Sequence, residues 1–141
     1  MGDLSASAFA AKWTGCMRQE RAAAQEHFID LCRMLGEPTP NEADPTGTTY
    51  AFEKAVTKAA GGDGFADVWK KDFFGWEYKG KGKDLKAAYV QLLNYSEDLS
   101  NPPLVVVSDL DTNEIRAHLT RMARGASFMY TRSYRTVGRK N

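Results

Sequence analysis

Residues 64–80 read Gly-Phe-Ala-Asp-Val-Trp-Lys-Lys-Asp-Phe-Phe-Gly-Trp-Glu-Tyr-Lys-Gly, and this stretch decides the fold. Successive side chains of a β-strand point to opposite faces. A strand over 74–79 therefore places its aromatic side chains on one face and Glu77 and Lys79 on the other. The run around Asp67 alternates in the same way, so the sequence predicts two neighbouring strands that each carry charge opposite an apolar face.

A turn at residues 70–73 would join these strands as a hairpin, with Asp67 across from Glu77 and Lys79. Two carboxylates within hydrogen-bonding range repel each other unless a cation neutralises them. Mg²⁺ suits such a pair, because it takes one or two carboxylates and completes its shell with water and substrate phosphates. A lysine beside that metal can orient or deprotonate an attacking water. This pattern is typical of a metal-dependent phosphodiesterase.

The alternative explanation of these charges is a solvated strand face, which needs no functional role. Asp and Glu are disfavoured in the middle of strands, however, and here they stand between bulky aromatic residues. That context favours a functional site.

Length and composition limit the classes of protein to consider. A chain of 141 residues is long enough for one domain with a real core and too short for two. Its net charge of +1 excludes a strong overall field that would attract DNA or a membrane, so any affinity for nucleic acid must come from local patches. The sequence shows no signal-peptide pattern and no apolar run of membrane-spanning length, so we expect a cytoplasmic protein.

The two cysteines, Cys16 and Cys32, and the two histidines, His27 and His118, lack the spacing of a zinc site. In a cytosolic protein such cysteines stay reduced and pack as small apolar residues. We therefore expect neither a disulfide nor a structural metal.

Helical periodicity covers residues 5–36, and Gly36 followed by Pro38 ends it. Glu20 falls four residues before Ala24, so it extends the apolar stripe of this helix. A carboxylate there is either a partly buried ion-pair partner or an active-site residue.

The rest of the chain predicts strands at 49–56, around Asp67, at 74–79, at 104–108 and at 114–118, with a second helix over 84–99. Gln91 and Tyr95 share one face of that helix, since they are four residues apart. Short turns join the first three strands as an antiparallel meander, and the helical crossover then brings the apolar strand 104–108 in parallel, as a central strand. The predicted fold class is α/β, with a mixed sheet flanked by helices.

The order αβββαβ together with Asp67…Glu77-x-Lys79 resembles the PD-(D/E)XK nuclease superfamily. More closely, the chain is similar to the amino-terminal cleavage domain of MmeI-like Type II restriction–modification enzymes over residues 5–118. The segments that carry this closer resemblance are Phe9–Trp13, Glu20–Ala22, Gln25–Gly36, Tyr50–Lys54 and Asp67–Lys79. In the wider superfamily a helix with Gln-x-x-x-Tyr often follows the lysine strand, and Gln91-x-x-x-Tyr95 fits that pattern.

This resemblance implies a DNA endonuclease that uses Mg²⁺, with Mn²⁺ as a substitute. It implies that Asp67 and Glu77 are metal ligands and that Lys79 is the catalytic lysine. Glu20 would be an accessory acid, and Gln91 and Tyr95 would support the site.

The basic glycine-containing connection at 79–86 offers Lys81 and Lys83 to the DNA backbone, and its alternative role is a solvated loop. Double-stranded DNA is the expected partner. Cleavage of both strands by one such site generally requires two copies, so we expect a dimer on DNA.

The chain also departs from that family, whose members continue into a helical spacer, an adenine-specific DNA methyltransferase and a target-recognition domain. We expect a nuclease-like domain over residues 1–120 and a basic, poorly ordered tail over 121–141. Seven of the 19 Lys and Arg residues lie from Arg116 onward, and no acid follows Glu114. A frame shift near residue 118 that truncates the gene product would explain this composition.

The tail has an alternative structure, because its aromatic residues could add an edge strand to the sheet. The function has alternatives too. One is a non-catalytic nuclease-like scaffold that binds DNA or a partner subunit, and the other is a metabolic α/β enzyme, for which the sequence carries no cofactor fingerprint.

Overall fold

The computed structural model describes the backbone of residues 4–14, 20–58, 61–80, 83–110, 112–117, 121–123, 126–128 and 133–137, and the side chains of 4–14, 22–58, 61–80 and 83–110. The helices are α1 (Ala6–Thr14), α2 (Glu20–Leu35), α3 (Pro40–Ala43) and α4 (Leu85–Asn94). The strands are β1 (Tyr50–Thr57), β2 (Asp63–Lys70), β3 (Phe74–Tyr78), β4 (Leu104–Ser108), β5 (Thr112–Ala117), β6 (Arg121–Ala123), β7 (Ala126–Phe128) and β8 (Ser133–Val137).

The main sheet has the strand order β1-β2-β3-β4-β5-β8, and β6 pairs separately with β7. β1, β2 and β3 are successively antiparallel, whereas β4 lies parallel to β3 after the α4 crossover. The prediction of an α/β fold with a mixed sheet flanked by helices is therefore confirmed, as is the meander followed by a parallel strand.

Two apolar clusters cover the two faces of the sheet. The cluster on the α2 side contains Trp13, Ala23, Ala24, Phe28, Cys32, Tyr50, Val68, Trp76, Tyr78, Val106 and Leu110. The cluster on the α4 side contains Val56, Ala66, Trp69, Ala88, Tyr89, Leu92, Tyr95, Leu99, Val105 and Val107. Because β4 contributes alternate valines to both clusters, it is buried on both faces, as its continuous apolar run predicts.

The β1–β2 ribbon changes face in its middle. Phe52 packs on the α2 side and Val56 packs in the α4 cluster, although strict alternation would put both on one face. Between them, Glu53 has a left-handed φ of 50°, which is uncommon for a residue other than glycine. Glu53 occupies the register position opposite Asp67, so the ribbon turns at these two residues and its far end lies over α4.

Two helix boundaries differ from the sequence prediction. The predicted helix at 5–36 corresponds to α1 and α2, with residues 15–19 outside the described part of the chain. α4 ends at Asn94, where i to i−3 hydrogen bonds from Tyr95 N to Leu92 O and from Ser96 N to Leu93 O replace the i to i−4 ladder of the helix. Trp69 Nε1 then donates to Leu99 O at 2.9 Å, which fixes this turn against β2.

Cys32 is buried with a free thiol, and Cys16 lies outside the described residues. Within the described part of the chain, none of the helices combines the length and apolar character needed to cross a membrane. The division of the chain into a domain over 1–120 and a tail over 121–141 stays a prediction.

Candidate active site

Asp67 lies where β2 separates from β3. The paired register of these strands ends at Val68 opposite Trp76. Instead of a further backbone contact, the side chain of Asp67 accepts a hydrogen bond from the Tyr78 N–H at 2.7 Å. The carboxylate therefore occupies the opening between the two strands, and the backbone of β3 holds it there.

Glu77 joins Asp67 in this opening. Only 5% of Glu77 is exposed, and its side chain hydrogen-bonds to that of Asp67. Burial raises the pKa of Asp67, while the Tyr78 amide, the bond to Glu77 and the charge of Lys79 oppose that rise. Two neighbouring carboxyl groups repel each other when both are ionised, so a proton or a cation between their oxygens stabilises the pair.

Lys79 is tied to α4 by a chain of side-chain hydrogen bonds. Its Nζ donates to Gln91 Oε1 at 3.1 Å, and Gln91 Nε2 donates to Tyr95 Oη at 3.1 Å. The same ammonium lies 3.9 Å from Glu77 Oε1. Gln91 and Tyr95 therefore fix the position of the lysine beside the carboxylate pair.

Tyr95 in turn is held under the β1–β2 ribbon. A Cβ built on Gly64 would lie 2.6 Å from Tyr95 Oη, so only glycine allows this close approach of strand and ring. The tyrosine is almost fully buried, with 2% of it exposed. This contact connects the hairpin that carries Asp67 with the helix that holds Lys79.

The two carboxylates, Gln91 and Tyr95 line an open cleft of about 550 Å³, and Lys79 lies beside it through its bond to Gln91. Its walls come from α2, from the β1–β2 ribbon, from β3 and from α4. The lining residues are Ala24, Gln25, Phe52, Glu53, Lys58, Gly64, Phe65, Asp67, Val68, Glu77, Gln91 and Tyr95.

The donor set fits a hard divalent cation that keeps part of its water. Among the residues whose side chains are described, no group of three or more His, Cys, Asp or Glu side chains could hold a metal ion. The Asp67–Glu77 pair offers two carboxylates, and Mg²⁺ uses one or two together with waters and substrate phosphates. An all-protein cage of the kind that Zn²⁺ or Ca²⁺ favours does not match these residues.

The structure brings together five of the residues that the sequence singled out, namely Asp67, Glu77, Lys79, Gln91 and Tyr95. The parity prediction also agrees with the structure, because Trp76 and Tyr78 are buried in the α2-side cluster while Glu77 lines the cleft.

The structure describes the other predicted site residues, Glu20, Lys81 and Lys83, only in part. The backbone of Glu20 begins α2, and its side chain lies outside the described part of the chain. Lys81 also lies outside the described residues. Lys83 is exposed in the turn before α4, where its N–H donates to Gly80 O.

Sequence reasoning missed Glu53 and His27. Glu53 lines the cleft, and its negative charge raises the pKa of Asp67. Its place near Asp67 follows from the register of β1 and β2, in which Phe52 pairs with Val68 and Lys54 with Ala66, and the alternation of β1 carries no signal for it. His27 was considered only as a zinc ligand, yet its Nδ1 shares a buried 2.8 Å hydrogen bond with Tyr78 Oη behind the site.

His27 is enclosed by the rings of Phe9, Trp13 and Tyr78, with centroid distances of 5.1, 5.0 and 5.3 Å. Burial lowers its pKa to about 4, so the imidazole is neutral at pH 7. It therefore acts as a packed link between α2 and β3, on the side of the sheet opposite the carboxylates.

Comparison of the chain with protein-family models found no match, and neither the curated proteins nor the solved structures gave one.

Proposed function

We propose that this chain is a Mg²⁺-dependent DNA endonuclease domain of the restriction type, which hydrolyses phosphodiester bonds. The observation that carries the proposal is the joint placement of Asp67, Glu77 and Lys79 at the opening between β2 and β3, with Lys79 held by Gln91. The proposal extends to a restriction–modification system in which an adenine-specific methyltransferase and a target-recognition domain act beside this domain.

Each side chain has a distinct role in this proposal. Asp67 and Glu77 would hold Mg²⁺, with Mn²⁺ as a substitute, and the cation would supply positive charge to neutralise what develops on the scissile phosphate. Lys79 hydrogen-bonds the attacking water and aligns it with the phosphorus. Gln91 and Tyr95 keep the lysine ammonium in position, so that it is oriented before substrate arrives.

Plasmid nicking in Mg²⁺ at low salt tests this function. We expect the wild-type chain to convert supercoiled plasmid to nicked circles, and we expect Asp67→Asn and Lys79→Ala to lose at least about a hundredfold in rate, typical for removal of such groups. Gln91→Ala should give an intermediate loss, because it only positions Lys79.

Two matched controls come from the turn between β2 and β3. Asp72 and Lys71 are exposed and lie outside the cleft, and Asp72 has a left-handed φ of 67° that asparagine tolerates. Asp72→Asn and Lys71→Ala should cut like the wild type. Equal cleavage by the wild type, Asp67→Asn and Lys79→Ala would contradict the proposed nuclease function.

A second candidate is a non-catalytic scaffold of the same fold that binds DNA or a partner subunit. The net charge of +1 and the additional negative charge of Glu53 in the cleft favour it, because both weaken the attraction of a phosphate backbone. A scaffold need not bind metal, so DNA binding that is identical with and without Mg²⁺, together with absent cleavage, would support it.

A further inference from the structure

Phe65 is a large aromatic residue at the mouth of the cleft. It is 59% exposed although it belongs to β2, and it stands two residues before Asp67. It lines the same cleft as Asp67 and Glu77, as does Lys58 at the end of β1. An exposed phenyl ring beside the half-buried Asp67 and the buried Glu77 is therefore part of the surface that a substrate meets.

The backbone that carries this ring is fixed on both sides. Gly64 lies against Tyr95 too closely for any larger residue, and Ala66 is fully buried in the α4-side cluster. Phe65 also pairs with Ala55 of β1. Because neighbouring strand residues point to opposite faces, the burial of Ala66 turns Phe65 toward the open side. The ring is thus presented by a rigid strand.

Because the net charge of the chain is small, electrostatic attraction alone gives it little affinity for nucleic acid, and an aromatic contact to a base would add to that affinity. Proteins that grip nucleic acid mainly through phosphates carry a strongly basic surface, whereas this chain has a net charge of +1 and a cleft with Glu53, Asp67 and Glu77. Stacking of a base on an aromatic ring does not depend on the net charge of the protein. Each stacked base contributes enough binding free energy to affect the affinity for single-stranded nucleic acid. In an intact duplex both faces of each base are covered by neighbouring bases, so only an unstacked base can use the ring.

We propose that Phe65 stacks on an unpaired nucleobase next to the scissile phosphate, while Lys58 contacts the adjoining phosphate. This inference rests on the proposed function and narrows its substrate to DNA in which a base beside the cut is unpaired or displaced from the stack. Phe65 is then the residue that determines this specificity.

Binding of a fluorescent oligonucleotide measures the contact without cleavage, because Ca²⁺ can replace Mg²⁺ in the buffer. The probe is DNA with one 2-aminopurine, supplied as a single strand, as a duplex with that base unpaired, and as a fully paired duplex. We expect tighter binding and quenched fluorescence for the two unpaired forms. Phe65→Ala should weaken their binding by at least roughly fivefold and abolish the quenching, and Phe65→Tyr should restore both.

Phe73 provides the control, since it is 55% exposed and lies in the β2–β3 turn outside the cleft lining. Phe73→Ala should bind all three probes as the wild type does. Equal losses for Phe65→Ala and Phe73→Ala, or equal binding of paired and unpaired probes by the wild type, would overturn the inference.

The two proposals fail in different ways. In one case, base stacking depends on Phe65, but the Asp67 and Lys79 variants behave like the wild type in plasmid nicking. This result would support the base contact and contradict the nuclease function. Cleavage that requires Asp67 and Lys79 but prefers paired DNA, and is unchanged in Phe65→Ala, would support the nuclease and overturn the base contact.

Discussion

At the scale of single residues, the site depends on side chains that replace ordinary backbone contacts. Asp67 accepts from the Tyr78 N–H where the β2–β3 ladder ends, and Tyr78 Oη bonds to His27 on the other side of the sheet. One residue of β3 therefore connects the carboxylate in the cleft with α2 in the core. A change to His27 should act on the site through Tyr78, without any contact to substrate.

His27 makes the stability of the protein pH-dependent. Because burial lowers its folded pKa to about 4 from 6.5, the unfolded chain binds a proton more readily. The contribution of the neutral imidazole to the free energy of unfolding is complete above pH 6.5. It is lost as the pH falls toward 4, which lowers that free energy by up to about 3 kcal/mol. Urea unfolding of the wild type and of His27→Gln between pH 7.5 and 4.5 measures it.

The difference in unfolding free energy between the two proteins should shrink as the pH falls. Identical pH dependence for both would show that the imidazole is not desolvated in the folded state.

Gly64 and Tyr95 should show coupled effects on stability. Gly64→Ala pushes a methyl group to 2.6 Å from Tyr95 Oη, and overpacking of this kind costs about 1 to 3 kcal/mol. Tyr95→Phe removes the hydroxyl and loses the bond from Gln91, at about 1 kcal/mol. We expect Gly64→Ala to cost less in the Tyr95→Phe background, as a thermal-unfolding double-mutant cycle would report.

An equal cost of Gly64→Ala in both backgrounds would contradict this close approach. Nicking activity adds a second measurement, because displacement of Tyr95 releases Gln91 and, through it, Lys79.

At the scale of elements, α4 is the part that aligns the lysine. Its N-cap is Asp84, whose side chain accepts from the N–H groups of Lys86 and Ala87 at 2.9 and 3.2 Å. The remainder of the helix is anchored by Ala88, Tyr89 and Leu92 in the α4-side cluster.

Asp84→Ala should destabilise the protein by about 1 kcal/mol, because two amide groups at the start of α4 lose their acceptor. Asp84→Asn keeps an acceptor oxygen and should stay close to the wild type. Chemical denaturation gives both values, and an equal loss for the two variants would mean that the charge of Asp84, not its capping bond, matters here.

The strands β1 to β5 and the antiparallel meander of the first three follow from local patterns, which is why they could be predicted from sequence, whereas β6, β7 and β8 could not. Alternation around Glu77 fixes which face of β3 is buried, and the apolar run at 104–108 is long enough for a strand and too short for most helices. Strand alternation and the hairpin turn predict that Asp67, Glu77 and Lys79 lie together. The four-residue spacing predicts only that Gln91 and Tyr95 share a helix face, and their place beside Lys79 was implied by the family resemblance alone.

Other features depend on contacts between distant residues and leave no local trace. The left-handed φ of Glu53 arises where two strands turn together, and nothing in the alternation of β1 marks it. His27 gains its role from rings on α1 and β3. The turn that follows α4 is held by Trp69 from another strand.

At the scale of the whole molecule, the basic segment after residue 120 is a separate question from the core. Among the residues whose side chains are described, both apolar clusters are formed between Trp13 and Leu110, and the backbone of β8 pairs with that of β5. Because the sequence of 121–141 carries no acid and no apolar periodicity, we expect its deletion to leave the melting temperature nearly unchanged and to weaken salt-sensitive, nonspecific DNA binding.

Calorimetry of the deleted and full-length chains measures the melting temperature, and a salt titration of DNA binding by both chains measures the electrostatic contribution of the tail. A large loss of melting temperature would show that β8 belongs to the cooperative unit, in agreement with the edge-strand alternative.

If Asp67 and Glu77 form one divalent-cation site beside Lys79, a Mn²⁺ titration followed by electron paramagnetic resonance should detect it. We expect one Mn²⁺ bound per chain by the wild type, by Lys79→Ala and by the control Asp72→Asn. We expect loss of that binding in Asp67→Asn and in Glu77→Gln. Undiminished Mn²⁺ binding by these two variants, or no binding by the wild type, would contradict such a site.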